Sequence, residues 1–176
     1  MNEHSTLPAA VSFRPAGVAD LPAVLAINEA NVPEVGPTTL ERLERFLAMA
    51  ELFEVAVGTD DLPVAFMIVL PEGCDYDSPN YAWFVDRHER FLYVDRIAVA
   101  AGHRNRGIAR RLYDDAVAQV RRTGRHLLCA EVNVEPRNDV SLAFHHGYGF
   151  VARAEVADPR YPALRVAMLT LTVAQP

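Results

Sequence analysis

The chain has 176 residues, 51% hydrophobic and 23% charged, the balance of a globular domain whose core needs neither metal nor disulfide. Its formal charge of −6 argues against general nucleic-acid binding, which favours basic surfaces. All 17 basic residues are arginines, so no lysine is present to form a Schiff base or to complete a P-loop.

Residues 1–10 lack the basic and apolar regions of a signal peptide and are expected to be a flexible tail ahead of one domain spanning 11–176. Val11–Arg14 reads as a short strand closed by Pro15-Ala16-Gly17. Ala19–Asn28 reads as a helix, because Asp20 and Pro22 are both tolerated in a first turn. Two prolines and a glycine make 31–37 a loop. Thr38 or Thr39 then caps a second helix, whose Leu40, Leu43, Phe46 and Leu47 repeat at helical spacing. Phe53–Val57 and Val64–Leu70 are β-rich runs, and Gly58-Thr59-Asp60-Asp61 between them reads as a hairpin turn. Pro71–Arg90 reads as an acidic, aromatic insertion, with a helical turn over Trp83–Glu89.

Phe91–Val99 is the next strand, apolar enough to be buried on both faces near its end. Gly107–Arg122 is a helix with Ile108, Leu112, Ala116 and Val120 on one side, stopped by Thr123-Gly124. Leu127–Val134 is a strand, Asp139–His146 a short helix, and Phe150–Val156 and Leu164–Val173 two closing strands. Strand–helix–strand in the middle implies a right-handed parallel crossover, and the flanking hairpins imply antiparallel neighbours. The expected fold is α/β, a mixed sheet with helices on both faces.

The chemistry concentrates where a buried strand runs into a turn that opens a helix. Ile97-Ala98-Val99 leads through 100–103 into Arg104-Asn105-Arg106-Gly107-Ile108-Ala109-Arg110. Gly107 and Ala109 permit close approach to the backbone, and the first helical turn offers unpaired N–H groups at the positive end of the dipole. Such a turn suits a pyrophosphate. The dinucleotide fingerprint Gly-x-Gly-x-x-Gly does not occur. Glu131-Val132-Asn133 ends the following strand, and Asn138, Ser141, Phe144, His145, Gly149 and Phe150 follow at fixed spacing.

Arg-x-x-Gly-x-Ala after an Ile-Ala-Val strand, followed by this second segment, resembles the acyl-CoA-binding core of the GNAT superfamily of N-acetyltransferases. The resemblance covers about 11–172 and is most specific from Phe91 to Phe150. Asp-Ser-Pro-Asn-Tyr at 77–81 and Tyr-Val-Asp-Arg-Ile at 93–97 look like a bacterial subgroup of predicted acetyltransferases.

The resemblance implies acetyl-CoA as cofactor. Its pantetheine arm would lie between Ile97, Ala98 and Val99 on one strand and Glu131–Asn133 on the next. The diphosphate would take N–H groups from Arg104, Asn105, Arg106, Gly107, Ile108, Ala109 and Arg110, while Asn133, Asn138, Ser141 and Phe144 would contact the arm. It also implies direct attack of a neutral amine on the thioester, which needs a base, an acid and a polarised carbonyl. His145 stands where the family often has a tyrosine acid, and either donates a proton or packs against ligand. Asp95 is a candidate base, placed two residues before Ile97 and assigned to the strand face of Tyr93 and Ile97; its other reading is an ion pair with an arginine. Glu131 is the next candidate base, or a hydrogen-bond anchor.

Asp75, Tyr76, Tyr81 and Trp83, with Asp77, either shape an acceptor pocket for a cationic amine or belong to a solvated insertion. Asn28 and Asn31 either read a polar substrate or cap the first helix. The arginines at 110, 111, 121, 122 and 125 read mostly as a solvated helix face. The adjacent His145 and His146 have no third ligand at metal spacing, so no metal is expected. The acceptor is expected to be a small-molecule or peptide amine, with a homodimer supported by the closing strands. Cys74 and Cys129 form no C-x-x-C pair and no apolar run reaches the roughly 18 residues of a membrane span, so the expected compartment is the cytoplasm. The rival from another class is a non-catalytic acyl-CoA sensor on the same fold.

Overall fold

The structure, a computed structural model, describes residues 11–175; the expected N-terminal tail, residues 1–10, lies outside the described residues. The elements run β1 (Ser12–Pro15), α1 (Leu21–Glu29), α2 (Leu40–Met49), β2 (Leu52–Val57), β3 (Pro63–Pro71), α3 (Pro79–Val85), β4 (Leu92–Val99), α4 (Ile108–Arg122), β5 (Leu127–Glu135), α5 (Asp139–Tyr148), β6 (Val151–Asp158) and β7 (Tyr161–Thr172). The seven strands form one mixed sheet in the order β1-β2-β3-β4-β5-β7-β6. Among the described residues only β4 and β5 pair in parallel, across the α4 crossover, and the other neighbouring strands are antiparallel.

Side-chain alternation along the strands produces two apolar layers. On one face, Phe53, Val55, Phe66, Ile68, Leu70 and Tyr93 pack against α1, α2 and α3. On the other, Ala56, Ala65, Met67, Val69, Leu92 and Leu128 pack against α4, with Leu142, Phe144 and Tyr148 of α5 at its margin. Leu43 and Leu112 are completely buried. Each such side chain contributes about 2 kcal/mol by its removal from water. Thr39 caps α2 by accepting the Arg42 N–H at 3.2 Å. The apolar stripe Ile108, Leu112, Ala116, Val120 seats α4 on the sheet, and Gly124, at φ +66°, follows its end.

Several expectations need correction. The helix in the insertion is Pro79–Val85 rather than a turn over Trp83–Glu89, because Ser78 accepts the Tyr81 N–H and Pro79 occupies the first helical position. The first helix begins as a 3-10 turn over Val18–Asp20 and becomes α-helical only from Leu21. β4 is buried on both faces at its beginning, Leu92–Val94, not at its end. Asp95 does not share a face with Ile97. Ile68 pairs with Arg96 but Val69 with Val94, so Asp95 is an extra residue in a β-bulge. The bulge leaves Asp95 and Arg96 both on the α1/α2 face and turns Ile97 toward the α4 layer.

Candidate active site

The bulge coincides with a parting of strands. The β4–β5 ladder holds Leu92–Leu128, Tyr93–Cys129 and Val94–Ala130, and no pairing continues beyond Val94. The Ala100 N–H donates to the Val64 carbonyl at 2.8 Å. By antiparallel alternation, Ile97 and Val99 direct their backbone groups away from β3 and into the gap facing 131–133. The Val99 carbonyl there accepts Arg104 Nε at 3.3 Å, while Arg104 Nη2 donates to Asn31 Oδ1 at 2.8 Å. Asn31 also donates to the Ile27 carbonyl at 2.8 Å, so this residue ties the end of α1 to the mouth of the gap.

The gap opens onto the turn ahead of α4. Asn105 at φ +60° and Gly107 at φ +78° flank Arg106, an alternation that points successive N–H groups to one side. A Cβ at Gly107 would meet nothing within 4 Å, so the turn is open. The first N–H returned to the helix is that of Arg111, which donates to the Gly107 carbonyl at 3.0 Å. Those of Ile108, Ala109 and Arg110 precede it and have no intrahelical acceptor. The turn therefore offers free amides at a helix N-terminus, the arrangement an anion requires. Exposed Arg106 and Arg110 lie beside it, Arg110 with its guanidinium 5.4 Å from the Tyr148 ring. Of the other arginines named in sequence, Arg111, Arg121 and Arg122 are exposed as expected, Arg111 pairing with Asp115 at 2.8 Å, while Arg125, only 14% exposed, pairs with Glu72 at 2.6 Å.

On the α1/α2 side the gap is walled by a polar cluster. Glu131 Oε1 accepts from the Tyr93 hydroxyl at 2.8 Å and from Asn80 Nδ2 at 3.2 Å. Glu131 Oε2 is closed to solvent and has no partner. Burial, reinforced by the nearby Asp95 charge, pushes the Glu131 carboxyl up to about 7 against the pull of its two donors. Asp95 pairs with Arg96 at 2.8 Å and accepts a short hydrogen bond from the Tyr76 hydroxyl. Arg96 in turn donates to Asn28 Oδ1 at 2.9 Å and to the Gly36 carbonyl at 3.2 Å. Asn28 is fully buried and donates to the same carbonyl at 3.1 Å, so it clamps the α1–α2 loop. Asn133 Nδ2 approaches the Pro33 carbonyl of that loop at 3.5 Å.

The remaining candidates have varied surroundings. Tyr81 is buried, its hydroxyl donating to the Pro71 carbonyl at 2.7 Å and accepting the Cys74 N–H at 2.9 Å. The Trp83 ring is covered by the Arg87 guanidinium at 4.1 Å. Asp75 and Asp77 are exposed. Asn138 caps α5, accepting the Ser141 N–H at 3.0 Å. Phe144 packs against Tyr113 with the rings tilted and their centres 5.3 Å apart.

His145 is buried on the α4 side. Its Nδ1 lies 2.7 Å from the Ser141 carbonyl, which can only accept, so Nδ1 carries the proton. Nε2 then accepts from the Tyr113 hydroxyl at 2.6 Å. Burial lowers the affinity of this imidazole for a second proton.

Asn80 and Tyr93 were not singled out from sequence as site residues. The Asp-Ser-Pro-Asn-Tyr and Tyr-Val-Asp-Arg-Ile runs that contain them were the only local signal, since the partner they share lies 38 and 51 residues away in the chain.

A family model for the acetyltransferase (GNAT) family matches residues 25–150. The L-methionine sulfoximine/L-methionine sulfone acetyltransferase of Salmonella typhimurium is 28% identical over 67 residues, a stretch that covers 38% of either chain. Ard1 from Thermoplasma volcanium superposes with a TM-score of 0.78 at 17% identity, covering 94% of this chain and 99% of that one. A chain of the NatC complex bound to Gag peptide and CoA gives a TM-score of 0.73 at 18% identity, covering 93% and 99%.

Proposed function

The chain belongs to the GNAT acetyltransferase family, and from that premise we propose that it moves an acetyl group from acetyl-CoA to a primary amine by direct attack on the thioester. One observation carries the reading: the gap between β4 and β5 runs into a turn whose free N–H groups and αL glycine await an anion. The residues fit the cofactor. Backbone groups of Ile97 and Val99 would pair with the amide-bearing arm, and the amides from Arg106 to Arg110 would hold the diphosphate. Acetyl-CoA, when bound, supplies an activated acetyl group and a thiolate leaving group.

The side chains divide the remaining work. Glu131, with a carboxyl near 7, is the base: at neutral pH about half of it is ionised and able to take a proton from an incoming ammonium. Asp95, locked to Arg96 and Tyr76, holds the wall of the acceptor site rather than exchanging protons. For His145 we favour packing, because its one proton is bound to a carbonyl and its free lone pair is taken. Asp75 and Asp77 are exposed in the insertion ahead of α3, and their charge would favour a cationic amine. The relatives act on or bind both amino-acid derivatives and peptides, so the acceptor class is a small-molecule or peptide amine. We place the protein in the cytoplasm as a single domain from residue 11 onward. Two free thiols support that, and among the described residues no helix is long and apolar enough to cross a membrane. A homodimer would use the edge strand β6, since β7 lies inside the sheet.

The test follows free CoA thiol on incubation with acetyl-CoA and L-methionine sulfone, spermidine, tyramine or a short peptide with a free N-terminus. Turnover of at least one amine is expected, with Glu131→Gln slower by on the order of 10²-fold. CoA binding without thiol release for every amine would instead favour the acyl-CoA sensor. Thermal protection by ATP or NAD but not by CoA would overturn the cofactor assignment.

A further inference from the structure

We propose that Asn80 of α3 is a positioning residue for Glu131: together with Tyr93 it holds Oε1, so that Oε2 is the oxygen presented to the amine. The inference rests on the acetyl-transfer reading above and assigns a task to the insertion between β3 and β4. A carboxylate turns easily about its last torsion, and a single hydrogen bond leaves the plane of the group free. Here two donors from different elements, the Tyr93 hydroxyl of β4 at 2.8 Å and Asn80 Nδ2 of α3 at 3.2 Å, converge on the same oxygen. The other oxygen is sealed from solvent without a donor. Buried polar atoms are normally satisfied, and an exception this close to an open strand gap calls for a functional cause.

Asn80 is itself placed rigidly. It is 6% exposed in the first turn of α3, behind the Ser78 cap and Pro79. A neutral amide suits the task because it has no proton to lose and keeps donating at every working pH. The groups facing Glu131 are few. β4 contributes Tyr93 and Asp95, the latter tied to Arg96; α3 contributes Asn80, β5 Cys129, and β7 the apolar Met168 paired across the ladder. Asp95 raises the carboxyl and the two donors lower it, so Asn80 also helps keep the carboxyl near neutrality.

The experiment titrates the Glu131 carboxyl by carbon-13 NMR in the cofactor-free protein, as wild type, Asn80→Ala and Tyr93→Phe. Each variant is expected to raise the midpoint by about one pH unit, and Asn80→Asp by more, because it adds a second carboxylate. Turnover of whichever panel amine is accepted should fall at every pH in Asn80→Ala: about tenfold on the alkaline plateau, where Oε2 is ionised but no longer aimed, and about tenfold further below the midpoint. An unmoved NMR midpoint, or wild-type turnover on the alkaline plateau, would overturn the positioning role. Full activity in Glu131→Gln would instead overturn Glu131 as base, a failure the NMR midpoints tell apart from failure of the Asn80 assignment.

Discussion

Folding carries the carboxyls of Glu54 and Glu131 from an ordinary 4.5 to about 7, and in both burial is the leading cause. For a carboxyl raised in this way the folded state holds the proton more tightly than the unfolded chain. Its contribution to stability is fully present below about 4.5 and is lost as pH rises through about 7. Glu54 lies on β2 near Arg111 and Asp115 of α4, with Oε2 buried and unpartnered, well apart from the strand gap. Glu54→Gln removes the charge and keeps the shape. It should stabilise the protein by on the order of 1 kcal/mol at pH 8 and by nothing at pH 4, as read from urea unfolding at the two pH values. Residues of this kind are hard to see in a sequence. Glu54 reads as one polar letter in a β-rich run, and only the helix laid over it makes it unusual.

At the scale of elements, the turn into α4 was legible because its requirements are local. Gly107 adopts φ +78°, a conformation that costs an L-residue about 1–2 kcal/mol, and open space surrounds it. Gly107→Ala should therefore lower stability by about that amount and nothing more. Gly107→Glu adds a carboxylate among the amides that face an anion, and should weaken CoA binding by at least about 100-fold in calorimetry. Micromolar affinity in that variant would remove the turn from the cofactor site. The α3 helix shows the opposite case. Its signals, Ser78 and Pro79, sit at the right positions but follow the loop 72–77 and open only about two helical turns, so helical periodicity had too little length to emerge. The β4 bulge is likewise invisible in Tyr-Val-Asp-Arg-Ile, which alternates acceptably as a regular strand.

Across the whole molecule, Arg96 joins what the chain keeps far apart. It pairs with Asp95, reaches Asn28 in α1 and Gly36 in the α1–α2 loop, and lies over the Phe46 ring of α2 at 5.4 Å. Both members of the ion pair are nearly sealed, at 6% and 4% exposure. Arg96→Met would leave the Asp95 charge buried and unmatched, a loss of about 3–5 kcal/mol measurable by urea denaturation. The double variant Arg96→Met with Asp95→Leu should recover much of that loss in stability, since an apolar pair avoids the desolvation the ions suffer. It would still lose the fixed acceptor wall, which a raised KM in the thiol assay would reveal.

Residue pattern alone determined the order of the strands and of every helix but α3, the mixed α/β class, the free-amide turn around Gly107 and the family resemblance, because each depends on neighbours within a few residues or on the period of apolar side chains. Three things belonged to the tertiary structure. The sheet order places β7 between β5 and β6, a matter of which edges meet. The pairing of Glu131 with Tyr93 and Asn80 depends on three elements converging. The surroundings of His145, with one nitrogen on a carbonyl and the other on Tyr113 from 32 residues away, decide its protonation. A side chain's proton affinity follows from burial and from partners brought together by folding, and neither quantity is written in the order of the letters.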